Sequence, residues 1–110
     1  MSQQRKIKDE FATGIEEHHG SYYVVIHLFD THTLHCMVRD LELATHVFDF
    51  IQNVVLQRKD VKIRRDQKYY RLEVSLFSNS TAQYEGYHFH SEKLNLPTAV
   101  KLRQTLVMDE

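Results

Sequence analysis

Tryptophan is absent from this sequence of 110 residues, and cysteine and proline occur once each. Glycine occurs three times. A single cysteine, Cys36, excludes an internal disulfide, and no secretory leader pattern opens the chain. The expected compartment is therefore a reducing one, the cytoplasm. So little glycine and proline leaves no sign of a long flexible linker, and the isolated Gly14, Gly20 and Gly86 build no phosphate-cradling loop. No apolar run approaches the ~20 residues of a membrane-spanning helix, so no membrane partner is expected. Neither a paired-cysteine zinc motif nor an H-E-x-x-H helix motif occurs, and the carboxylates are scattered. No internal repeat or low-complexity tract is visible. With Lys and Arg at 14 against Asp and Glu at 15, no single sign of charge dominates the whole chain.

What is present fits one domain over residues 1–110, long enough to fold on an apolar core alone. In residues 1–20, Ile7, Phe11 and Ile15 recur every fourth position, which reads as a narrow helix ending near Gly20 or as a loose arm. "SYYVVIHLF" and "TLHCMVRD" read as paired strands. A loop of Asp30, Thr31 and His32 would set Leu28 against Leu34, Ile26 against Cys36 and Val24 against Val38, with His27 opposite His35 on the other face. The segment from about 41 to 57 carries Ala44, Val47, Phe48, Ile51, Val54 and Val55 at helical spacing behind Asp40, a natural N-cap. "VKIRR" and "KYYRLEVSLF" read as a hairpin turning at Asp66-Gln67, with Lys62 across from Arg71 and Arg64 across from Tyr69. After the turn cluster "SNST", "AQYEGYHFH" reads as a further strand with Tyr84, His88 and His90 on one face. Pro97 suits the first turn of a last helix buried through Ala99, Leu102 and Leu106. The expected fold class is α+β: an antiparallel sheet of about five strands built from hairpins, packed against one strong central helix and a C-terminal helix.

Charge is concentrated in one place. "QRKDVKIRRDQKYYR", residues 57–71, holds seven of the 14 Lys and Arg residues against Asp60 and Asp66, a balance of +5 in a chain of net −1. The candidate partner-binding residues are Lys62, Arg64, Arg65, Lys68, Tyr69 and Arg71. Such a face fits an acidic protein surface, or phosphates with Tyr69 stacking on a base, or simply a solvated rim that keeps sheet edges apart. Histidine is the second excess, at eight residues. His27, His35, His88 and His90 are metal-ligand candidates if the hairpins meet, against the plainer reading of surface imidazoles. Cys36 should lie on the face opposite His35, as a small core residue rather than a nucleophile.

The stretch "LHCMVRDLELATHVFDFIQ" followed by "VKIRRDQKYYRLEVSL" resembles the C-terminal domain of MecA-type adaptor proteins over about forty residues. Asp40, Phe48 and Ile51 match the strand-to-helix part, and Tyr69, Tyr70 and Leu72 the tyrosine-rich hairpin strand. The chain then departs from that pattern at "SNSTAQYEGYHFH", and no binding residue is carried over. The resemblance implies a protein that works by touching another protein. The expectation is a non-enzymatic, adaptor-like binding or regulatory domain with no catalytic residue and no cofactor. Its partner is another protein, with self-association allowed. The alternatives are a small nucleic-acid binder using the same face and a histidine-rich metal protein.

Overall fold

The computed structural model describes Ile7 and residues 11–29, 31–52, 61–77 and 86–107. Among them are six strands: β1 (Ala12–His18), β2 (Ser21–Leu28), β3 (His32–Val38), β4 (Val61–Asp66), β5 (Tyr69–Phe77) and β6 (Gly86–Ser91). Helix α1 (Leu41–Ile51) follows β3 and helix α2 (Leu96–Val107) follows β6. The strands form one antiparallel sheet in the order β1-β2-β3-β6-β5-β4. The α+β class is as expected, with one strand more than the sequence suggested. No helix among the described residues is long and apolar enough to cross a membrane.

The additional strand is β1. The every-fourth spacing of Ile7, Phe11 and Ile15 suggested a helix, but residues 12–18 pair in full with β2. Ile7 and Phe11 keep a helical link, Phe11 N–H donating to the Ile7 carbonyl at 2.9 Å, and both are buried in the core. The chain then reverses at His19 and Gly20, both at positive φ (54° and 82°), a two-residue hairpin loop.

Two strand registers also differ from expectation, each by two residues. Phe29 takes φ 61° directly after β2, and His32 enters the strand opposite Leu28. Ile26 then faces Leu34, Val24 faces Cys36, and His27 faces Thr33 rather than His35. Gln67 takes φ 58°, so the β4–β5 turn is Gln67-Lys68, and Asp66 pairs with Tyr69. A two-residue slip keeps every side chain on its expected face, so the period-2 pattern could not detect it.

Both helices lie on one side of the sheet. Asp40 caps α1, accepting from Leu43 N–H at 2.8 Å, and Asn95 caps α2, accepting from Thr98 N–H at 2.9 Å. Ala44, Val47 and Ile51 of α1 and Ala99, Leu102 and Leu106 of α2 are buried against Val24, Ile26, Leu28, Leu34, Leu72, Val74, Leu76 and Phe89. Burial of each large apolar side chain is worth ~1.5–3 kcal/mol. Val54 and Val55 of the expected helix, Asp60, the "SNST" turn and Tyr84 lie outside the described residues.

The architecture is a β-β-β-α unit used twice. Register maps Ile15 onto Ile63, Tyr22 onto Tyr70, Val24 onto Leu72, Ile26 onto Val74 and Leu28 onto Leu76. Across the second part of each unit, His35 maps onto His90, Asp40 onto Asn95 and Ala44 onto Ala99. Fewer residues separate the matched positions Leu28 and His32 in one half than Leu76 and Tyr87 in the other, so one fixed sequence offset does not superimpose the halves. That is why the repeat is invisible in the sequence. The halves meet where β3 pairs with β6, and there His35 faces its own counterpart, His90.

Candidate functional site

The second side of the sheet carries neither helix. Alternation brings Gly14, Val25, His35, His90, Glu73 and Lys62 into one row across all six strands on this open face. Tyr23, His27, Thr33, Met37, Arg71 and Arg64 flank that row. Five imidazoles share the face: His18, His27, His35, His88 and His90.

The basic hairpin forms one end of it. Lys62 faces Glu73 and Arg64 faces Arg71. Both arginines have carboxylates diagonally across the strands: Arg64 Nη1 donates to Glu73 Oε2 at 3.0 Å, and Arg71 Nε to Asp66 Oδ2 at 3.0 Å. Arg71 Nη1 also donates to the Ser91 carbonyl at 3.0 Å, tying β5 to β6. The register thus replaces the expected Lys62–Arg71 opposition by Arg64 opposite Arg71, and the diagonal carboxylates of Glu73 and Asp66 offset that repulsion. Arg65 falls on the helix-bearing side by alternation, exposed, with Nε donating to the Gln67 carbonyl at 3.1 Å. Lys68 is exposed in the turn and Tyr69 is 48% exposed, with Lys93 Nζ 5.6 Å from its ring centroid. Among the described residues, Lys62, Arg65 and Lys68 have no carboxylate partner. Of the six candidate residues, the structure gathers Lys62, Arg64, Tyr69 and Arg71 on the open face.

The histidine candidates are all on this face but are spread along it. His27 Nε2 lies 3.9 Å from Glu16 Oε2, His88 Nδ1 lies 2.8 Å from Ser75 Oγ, and His90 Nδ1 lies 3.9 Å from Glu73 Oε2. Only His35 and His90 are opposite each other. Among the described residues, no three His, Cys, Asp or Glu side chains gather as a metal-holding group. Ser75 and His88 resemble a nucleophile and its base, but among the described residues no second group orients the imidazole, so the pair is a cross-strand polar link. Burial pushes the Cys36 thiol above its ordinary pKa, in keeping with a core-side residue.

A cleft of about 260 Å³ opens on the β1–β2–β3 half, lined by Glu16, His18, Tyr23, Val25, Thr33 and His35. Glu16 holds His18 at 3.0 Å and leans toward His27. The Tyr23 ring stands between His18 and His35, at 5.7 and 5.9 Å between centroids. Burial lowers the pKa of His35, and the nearby His90 and Arg71 lower it further against an opposing pull from Glu92. Tyr23, on the expected strand β2, was missed as a site residue because its neighbours His18 and His35 come from other strands, and Glu16 and His18 because β1 read as a helix. The alternation of Ala12, Gly14, Glu16 and His18 with Thr13 and Ile15, running into His19-Gly20, is the signal that identifies them.

Comparison with protein-family models, curated proteins and solved structures finds no match for this chain.

Proposed function

We propose that this protein is a non-catalytic binding domain that receives an acidic segment of another protein at the β4–β5 end of its open sheet face. The observation that carries the reading is that Lys62 and Lys68, on the same hairpin as the half-exposed Tyr69, are exposed and have no carboxylate partner among the described residues, with Arg65 exposed on the other side of that hairpin. Arg64 and Arg71 are held by Glu73 and Asp66, so they shape the surface, and Lys62 and Lys68 supply its free charge. A rim of this kind favours fast, salt-sensitive association with an acidic protein. A flexible polyanion such as nucleic acid is the competing occupant, and the test separates the two.

The test compares wild type with Lys62→Glu/Lys68→Glu/Tyr69→Ala in capture from lysate at low and moderate salt. Arg64 and Arg71 stay intact, so the links to Glu73, Asp66 and Ser91 survive. A discrete acidic protein held by wild type and lost from the variant is the expected result. Capture that disappears on nuclease treatment transfers the face to nucleic acid. Identical capture by both proteins overturns the proposal.

A further inference from the structure

The weakest join in the sheet lies between its two halves. β3 and β6 share two residue pairs, Leu34 with Ser91 and His35 with His90, whereas every other neighbouring pair of strands shares at least five. Beyond that short ladder the join is carried by a side chain: Glu92 accepts from Thr33 N–H at 3.3 Å and pairs with His32 Nδ1 at 2.6 Å.

The charged groups around this join are already committed to one another. From β5, Arg71 and Glu73 approach, but Arg71 is held by Asp66 and Glu73 by Arg64 of β4. Just after β6, Glu92 is held by His32 of β3. From β1, Glu16 is occupied by His18 and lies near His27 of β2. From β2, Val25 and the Tyr23 ring bring no charge to His35. A proton on His90 finds Glu73 at 3.9 Å, on the same oxygen that already accepts from Arg64 at 3.0 Å. A proton on His35 finds Arg71 and His90 beside it, with Glu92 its one opposing neighbour. Two imidazolium ions directly opposite each other repel across a ladder.

We propose that the β3–β6 join is an acid-sensitive hinge: protonation of both His35 and His90 opens this ladder before the rest of the sheet. The hinge opens at the acid end of the histidine range, because burial first, and then His90 and Arg71, hold the pKa of His35 below its ordinary value. Its mechanism is independent of what binds the open face.

The test is amide hydrogen exchange in the full chain from about pH 7.5 to about pH 5.5, corrected for intrinsic exchange. Wild type should lose roughly two- to fivefold protection at β3–β6 amides relative to those shared by β1–β2 and β4–β5. The loss should vanish in His90→Gln. As a second measurement on the same variant, the NMR titration midpoint of His35 should rise when His90 is removed. Protection at the join that is unchanged by acid, or lost equally over the whole sheet, overturns the hinge. So does a His35 midpoint indifferent to His90→Gln.

Discussion

Single side chains set the ends and links of this fold. The Asp40 carboxylate satisfies a first-turn amide of α1, and an alanine leaves that donor without a partner in the protein. Asp40→Ala should lower unfolding free energy by about 1 kcal/mol, read by denaturant titration, and Asp40→Asn should restore most of it. Ser91 does comparable work in the interior. It is fully buried, with Oγ accepting from Leu72 N–H at 2.8 Å and donating to the Glu92 carbonyl at 2.7 Å. The cap was legible because helix starts use few residue types in a short window. The role of Ser91 was not, since its partner Leu72 lies on another strand.

At the scale of elements, the faces of the strands were legible and their registers were not. Val24, Ile26 and Leu28 point inward in either register, and so do Leu72, Val74 and Leu76. The choice between registers rests on which loop residue takes a left-handed backbone, and neither Phe29 nor Gln67 advertises that conformation as glycine does. Gln67→Gly should therefore relieve strain at φ 58° and stabilise the chain by roughly 0.5 kcal/mol, after the glycine's own entropy is counted. A thermal-melting comparison with Gln67→Val, which should destabilise, checks this. A loss of stability in Gln67→Gly would show that the turn is not strained. The electrostatics of the hairpin follow from this turn, because only this register sets Asp66 beside Arg71 and Glu73 beside Arg64.

For the whole molecule, eight histidines make charge a function of mild acidity. The formal charge passes from −1 to +7 when all are protonated. His35 gives this a definite sign for stability. Its folded-state pKa lies below the ordinary value because of burial, with His90 and Arg71 adding to the effect. The unfolded chain therefore binds a proton more readily than the folded one as pH falls through about 6.5. The stability associated with neutral His35 is full above that point and declines as pH drops toward the lowered value. In His35→Gln, the melting temperature should vary less between about pH 7 and pH 5 than in wild type. An unchanged slope would show that other histidines control the acid response.

By itself, the sequence determined which residues are apolar and with what period. That was enough for the α+β class, the two helices with their buried stripes, and the alternation of faces along five strands. Tertiary structure alone decided the rest. Turn geometry chose the registers, and pairing with β2 turned residues 12–18 into a strand despite their helical spacing. Closure of β3 on β6 then placed His35 against His90. Periodicity is a local property that each segment carries alone, whereas register and the meeting of distant strands depend on backbone torsions and on partners far away in the chain.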